Sequence, residues 1–228
     1  LRSSVAAGTI SAAVGNQLEG ELRFLRAMAH HDLVIFFCRP FLDGNGSAVG
    51  VPYRDFAVTS VETSDKTRNT PRGRVDSVYA KIIRDLDFAE ANLPALNSPN
   101  YIRADRVATI ALKMRVYMHM GRWDSVRNNG NKLIPATINP AAPTSVVSLL
   151  GNRSLTPTVN GSFNANSITA ENIFTIRNDA LDNPGVNGAL ASQYGSADLG
   201  GRGLVAVSPI IWNNSGWRAD DLRRTALY

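Results

Sequence analysis

Residues 101–134 read YIRADRVATIALKMRVYMHMGRWDSVRNNGNKLI. Val107, Ile110, Ala111, Met114, Tyr117 and Met118 recur at steps of three and four, which places them on one face of an α-helix. Gly121 interrupts the pattern. A second apolar set follows at Trp123, Val126, Leu133 and Ile134, and Pro135 ends it. The stretch predicts a helical hairpin, with Gly121 supplying the left-handed residue that closes the first helix. One hairpin cannot bury its own apolar face, so the rest of the chain has to supply further helices.

Upstream, Arg74 to Leu93 carries Val75, Val78, Ile82, Leu86, Ala89 and Leu93 on one helical face, with Pro94 as the stop. From Val14 to about Cys38 a longer helix is expected. Its core face is read from Leu18, Leu22, Leu25, Ala29, Leu33 and Phe36, and Pro40 terminates it. Residues 1–13 are small and polar, a frayed start or the tail of a helix. Residues 40–73 read as loop: DGNGSAVG is rich in turn formers, VPY is extended, and Thr59 to Gly73 is polar and expected to be exposed.

After Pro135 the character changes. Asn139 to Asn166 is rich in Pro, Ser, Thr and Asn without a period, and residues 179–217 are rich in Gly, Asn and Ser. Between them ENIFTIRN, residues 171–178, alternates like a short strand. Arg218 to Tyr228 starts another helical pattern. The organisation is therefore a helical part over 1–135 and an irregular, loop-rich part over 136–228. Long irregular stretches of this kind usually carry function or are disordered.

The 228 residues suffice for one large or two small domains, with 44% apolar and 19% charged residues. A net charge of +5 raises nucleic acid as a partner. The basic residues are spread along the chain, however, with Arg23, Arg26, Arg103, Arg106 and Arg115 interleaved in helical patterns, so no nucleic-acid partner is expected. The single cysteine, Cys38, sits in the run LVIFFC and reads as a packed thiol, with no internal disulfide available. The longest apolar run is far short of the ~20 residues that span a bilayer. Residue 1 is Leu, so the natural start is expected to lie upstream, and an export signal with it.

Candidate sites are few. His30, His31 and Asp32 are adjacent on a helix, where neighbours point about 100° apart, so they do not converge on one ion. DGNGS, residues 43–47, begins like a calcium loop, but Ala48 and Arg54 stand where glycine and a bidentate glutamate are needed. It reads as a turn. No nucleophile motif or zinc-protease motif is present, and Asp220 and Asp221 are adjacent rather than opposed. The chain is read as a non-enzyme without metal or cofactor. Tyr194, Trp212 and Trp217 lie among Gly, Asn and Ser, outside any periodic core. Aromatic faces beside amide side chains suit sugar rings, so these three are the candidate ligand-binding residues. The alternative is that each tryptophan plugs loops onto the helices. Trp123 is read as core.

Five stretches in order resemble the SusD/RagB family of nutrient-binding outer-membrane lipoproteins. The first is GELRFLRAMAHHDLVIFFCRPF followed by GVPY, with Glu21, Phe24, Leu25, Arg26, Ala27 and Leu33, then Gly50, Val51 and Pro52. The second is VDSVYAKIIRDLDFAEANLP, ending in a leucine–proline step. The third is the hairpin, where Arg103, Ala104, Ala108, Ala111, Leu112, Arg115, Val116, Tyr117, Gly121 and Trp123 match the family's pattern. ENIFTI and ADDLRR are the fourth and fifth. The resemblance covers residues 15–135 well and 170–225 thinly.

It implies a mostly α fold of tetratricopeptide-like helical hairpins, a SusD-like α superhelix carrying a loop-rich C-terminal part. It also implies a lipid-anchored protein on the outer face of the outer membrane, binding a glycan or other nutrient and delivering it to a TonB-dependent transporter. The lipid anchor is absent from this chain, which is similar to an internal fragment or truncated member. The family's ligand site varies, so no binding residue is carried over. Against the tetratricopeptide pattern, bulky Met114 and Val126 stand where small residues are usual. The rival reading is a helical-repeat adaptor whose concave face binds a protein.

Overall fold

The computed structural model describes residues 1–97, 101–138, 141–142, 145–158, 160–162, 168–177, 181–182, 185 and 187–226. Parts of the loop-rich stretch 139–166, residue 178 at the end of the expected strand, and Tyr228 lie outside the described residues. The described chain is mostly helical. It has no strand among those residues, only isolated bridges Val49–Arg74 and Val147–Ser154. It divides into two compact units, Leu1–Thr156 with Ile168–Thr175, and Pro157–Ser167 with Ile176–Tyr228.

The first unit holds helices α1 (Arg2–Ala6), α2 (Ala12–Phe37), α3 (Val61–Arg68), α4 (Val75–Asn92), α5 (Arg106–His119) and α6 (Trp123–Gly130). Its centre is α4. Val75, Val78, Ile82, Leu86, Ala89 and Leu93, the face expected from the sequence, are all buried. Each such aliphatic side chain contributes roughly 1.5–3 kcal/mol when fully buried. Helix α2 covers one side of α4 and α5 the other, and α6 closes on α5.

Helix α2 forms as expected but presents a different face. Ser11 caps it, its hydroxyl accepting from the Val14 amide. The buried positions include Gly20, Phe24, Ala27, His31 and Val34, again in steps of four and three, with Gly15 and His30 beside them. Leu22, Leu25, Leu33 and Phe36 are exposed, Phe36 at 78%. The chain carries two apolar stripes, and the one containing Gly20 is buried. Gly20 packs closely there: a Cβ at this position would sit 3.2 Å from the side chain of Leu93, just after α4.

The hairpin α5–α6 is present, and Gly121 adopts φ +67° between its helices. The Gly121 and Arg122 amides donate back to the Met118 and Tyr117 carbonyls, satisfying groups the helix end leaves orphaned. Of the six positions expected on the buried face of α5, Val107 and Ile110 are buried, Ala111, Met114 and Tyr117 are half-buried and Met118 is exposed. Ala104, Ala108, Leu112 and Val116 join the core around α4, while Val107 and Ile110 form a second cluster with Leu133. Met118 and Trp123 are 51% and 64% exposed, so Trp123 is not core. Among the described residues no further helix packs beyond α6 to cover it. Met114 is accommodated by Gly130, where a Cβ would lie 3.3 Å from its methyl group, so the small residue of the contact stands on the opposite helix.

Two further expectations change. Residues within 59–73 form α3, held by a reciprocal cap: the Ser60 hydroxyl accepts from the Thr63 amide and the Thr63 hydroxyl from the Ser60 amide. Capping rather than apolar period makes this helix, which is why periodicity missed it. Residues 171–177 pair in no ladder. Alternation alone supplies no partner strand. Instead Phe174 packs edge-on against Phe24, ring centres 5.1 Å apart, and the Thr175 amide donates to the Tyr101 carbonyl.

His30 and His31 are both buried, and Asp32 is exposed. His31 packs edge-on to Tyr79 of α4 and His119 of α5. Burial, with His119 and Arg115 nearby, pushes its pKa down to about 4. The unfolded chain therefore takes up a proton between about pH 6.5 and 4 that the folded chain refuses. This contribution to stability is intact above pH 6.5 and is lost as the pH falls toward 4, with a slope of up to about 1.4 kcal/mol per pH unit. Urea unfolding of wild type and His31→Gln between neutral pH and about pH 4.5 checks it, since the variant should show the shallower decline.

Candidate functional site

The second unit contains short helices α7 (Leu190–Tyr194), α8 (Pro209–Trp212) and α9 (Leu222–Ala226), with a 3-10 turn at Ala197–Leu199. Ser208 caps α8, and Pro209 takes its first position, where a missing N–H costs nothing. The chain then turns back on itself. The Asn214 side chain accepts from the Gly216 amide, and the Trp217 amide donates to the Asn214 carbonyl at 2.9 Å. That turn brings Trp217 against Trp212, ring centres 5.6 Å apart at 68°.

Arg224 of α9 lies over both rings, its guanidinium carbon 4.6 Å from the Trp212 centroid and 5.3 Å from that of Trp217. Its Nη2 donates to the carbonyl oxygens of Trp212 and Trp217, the latter at 2.8 Å. Arg218–Asp220 and Arg223–Asp221 form ion pairs nearby in the sequence, and the Arg223 hydrogen bond holds the Asp221 carboxyl at about 2. Tyr194 ends α7 and is 64% exposed. Among the described residues no ring contact joins it to the tryptophans. The structure thus brings together two of the three sequence candidates, with an arginine the sequence reasoning did not single out. Such a cluster presents indole surface and fixed positive charge.

The first unit holds a different feature. A buried carboxylate, Asp85 of α4, accepts from Arg26 Nε at 2.7 Å and Nη2 at 2.6 Å, and from the Tyr53 hydroxyl at 2.5 Å. Burial and Asp85 push the Tyr53 hydroxyl well above its ordinary pKa, so it remains the donor. His30 stacks on Tyr53 at 4.0 Å. Its Nδ1 donates to the Arg26 carbonyl and its Nε2 accepts from the Arg54 amide, a neutral ring held so by burial. Arg23 donates to Glu19 with Nε at 2.9 Å and Nη2 at 2.5 Å. Arg2 and Arg23 together hold the Glu19 carboxyl at about 2.

In front of these groups is an open groove of about 660 Å³, lined by Arg2, Arg23, Arg26 and Arg54 with Leu22 and Phe56 among its apolar residues. In the sequence Arg23 and Arg26 stand only as basic residues interleaved in a helical pattern. Their convergence with Arg54, about thirty residues on in the chain, is tertiary.

The DGNGS stretch is a turn, with Gly44, Asn45 and Gly46 all at positive φ. Among the described residues no group of three or more His, Cys, Asp or Glu is placed to hold a metal ion, and no helix is long and apolar enough to cross a membrane.

Residues 10–118 match the model of a family described as SusD-like, starch-binding and associating with the outer membrane. Among solved structures, the chain is similar to a SusD superfamily protein from Bacteroides fragilis, at 28% identity and a TM-score of 0.51, over 63% of this chain and 32% of that one. It is also similar to a putative sugar binding protein from Bacteroides vulgatus, at 22% identity and a TM-score of 0.48, over 76% of this chain and 36% of that one. The chain thus spans about a third of the length of these structures. No curated protein matches it.

Proposed function

We propose that this chain, whose residues 10–118 match the SusD-like family model, contributes to glycan capture at the bacterial outer surface without altering the glycan. The family match carries the reading. The helices of the first unit supply a rigid platform, and the Trp212–Trp217 pair supplies stacking surface in the second. Tyr194 is proposed as an additional contact on the strength of its exposure. Delivery to a TonB-dependent outer-membrane transporter and attachment by a lipid anchor are part of the proposal, and they follow from the family alone.

Stacking on an indole contributes roughly 1 kcal/mol per ring beyond area burial, or about fivefold in affinity. Trp212→Ala is expected to reduce retention on a starch affinity gel by about that factor, with an unchanged melting temperature of the first unit. Unchanged retention by both Trp212→Ala and Trp217→Ala would remove the pair from the site.

A further inference from the structure

The groove on the first unit is more specific than a general basic surface. Four guanidinium groups line it, from Arg2, Arg23, Arg26 and Arg54, against the carboxylates of Glu19 and Asp55. Counting Asp85 behind the wall, positive charge remains in excess. Arg23 spends Nε and Nη2 on Glu19 and holds Nη1 3.6 Å from Asp85, whereas Arg26 spends Nε and Nη2 on Asp85 and leaves Nη1 with only a 3.5 Å contact to the Asp55 carbonyl. Both side chains are held in place and half-buried, 19% and 27% exposed, so little ordering entropy remains to be lost on binding.

Arg54 completes the set. Its backbone amide is tied to His30, which fixes the segment, while its side chain is exposed and makes no ion pair among the described residues. Lys66 lies 4.2 Å over the ring of the lining residue Phe56, a second cation without a carboxylate partner among the described residues. Fixed guanidinium edges over an apolar wall of Leu22 and Phe56 match a ring that carries an anionic oxygen group on one side and C–H bonds on the other. The volume lies within the ordinary range for small-ligand clefts.

We infer that this groove is an anionic-sugar subsite, in which Arg54 and the Nη1 edge of Arg26 receive the carboxylate of a uronic acid or the sulfate of a sulfated sugar. This rests on the chain being a glycan binder, but it concerns a groove of the first unit, whereas the tryptophan pair belongs to the second. It predicts that charged glycans are taken in preference to neutral ones at this surface, and that their binding weakens with salt.

Calorimetric titration of the protein with oligogalacturonate and with a sulfated disaccharide, at low and high salt, tests it. Binding of at least one, weakened by salt and reduced about tenfold or more in Arg54→Glu, is the expected result. Oligogalacturonate alone would mark a carboxylate site, and the sulfated sugar alone a sulfate site. Failure of both sugars to bind, or undiminished binding by Arg54→Glu, would overturn the inference. A short polyglutamate peptide binding as tightly as either sugar would also overturn it, in favour of an acidic protein partner. Retention of Arg54→Glu on the neutral starch gel is read in parallel. Loss of starch retention by wild type counts against the glycan-binding reading, whereas an intact starch arm with failed anionic arms counts against this groove alone.

Discussion

Replacing Asp85 with alanine is expected to lower the unfolding free energy by about 3 kcal/mol, at the lower end of the range for breaking a buried ion pair. The carboxylate is fully buried and receives three short hydrogen bonds, two from Arg26 and one from Tyr53, with Arg23 Nη1 3.6 Å away. Its removal leaves the Tyr53 hydroxyl, on a residue only 5% exposed, without its acceptor, and Arg26 without its counter-ion. Arg26 keeps 27% of its side chain in solvent, which lets water repair part of the loss and sets the magnitude at the lower end. The measurement is urea unfolding, where the midpoint should fall with the slope unchanged. Tyr53→Phe should cost only about 1 kcal/mol, because it deletes one hydrogen bond and strands no charge. An Asp85→Ala midpoint within error of wild type would show that the network contributes nothing net to stability.

Asp105→Ala is expected to cost a similar or larger amount, about 3–5 kcal/mol, for two separable reasons. Asp105 caps α5: its Oδ1 accepts from the Ala108 amide at 2.8 Å. Its Oδ2 also receives Arg153 Nη2 at 2.5 Å, with the Arg153 and Asp105 side chains essentially out of solvent, at 5% and 0% exposure. Arg153 further stacks on Tyr101 at 4.3 Å and donates to the Gly151 carbonyl. Alanine removes the cap and strands the guanidinium. Asparagine at this position keeps a capping oxygen and loses only the charge, so Asp105→Asn should fall between wild type and Asp105→Ala. Equal losses from the two substitutions would assign the whole effect to the ion pair.

Both residues show where sequence reading stops. Neither Asp85 nor Asp105 looks unusual in the chain, since each is an acidic residue in or beside a helical pattern. Their partners lie 59 and 48 residues away, at Arg26 and Arg153. No local signal separates a carboxylate that will meet a buried arginine from one that will face water. The same holds for the groove, whose arginines are ordinary helix-surface residues until α2 and the segment 53–57 are packed together. The tryptophan pair was half legible. Composition singled out Trp212 and Trp217, but their contact through the Asn214 turn, and the arginine laid across them, depend on three-dimensional closure.

What the sequence by itself determined was the helical identity of the first part of the chain. The period of α4, the stops at Pro40 and Pro94, and Gly121 as the left-handed hinge each act within a few residues. Local sterics and the spacing of apolar side chains therefore suffice to specify them. What only the tertiary structure decided was which face each helix turns inward. Helix α2 carries two apolar stripes of similar strength, and the one with larger residues stayed exposed. The buried stripe carries Gly20, set closely against Leu93, and how two helices pack depends on the side chains of both, which is a property of the pair.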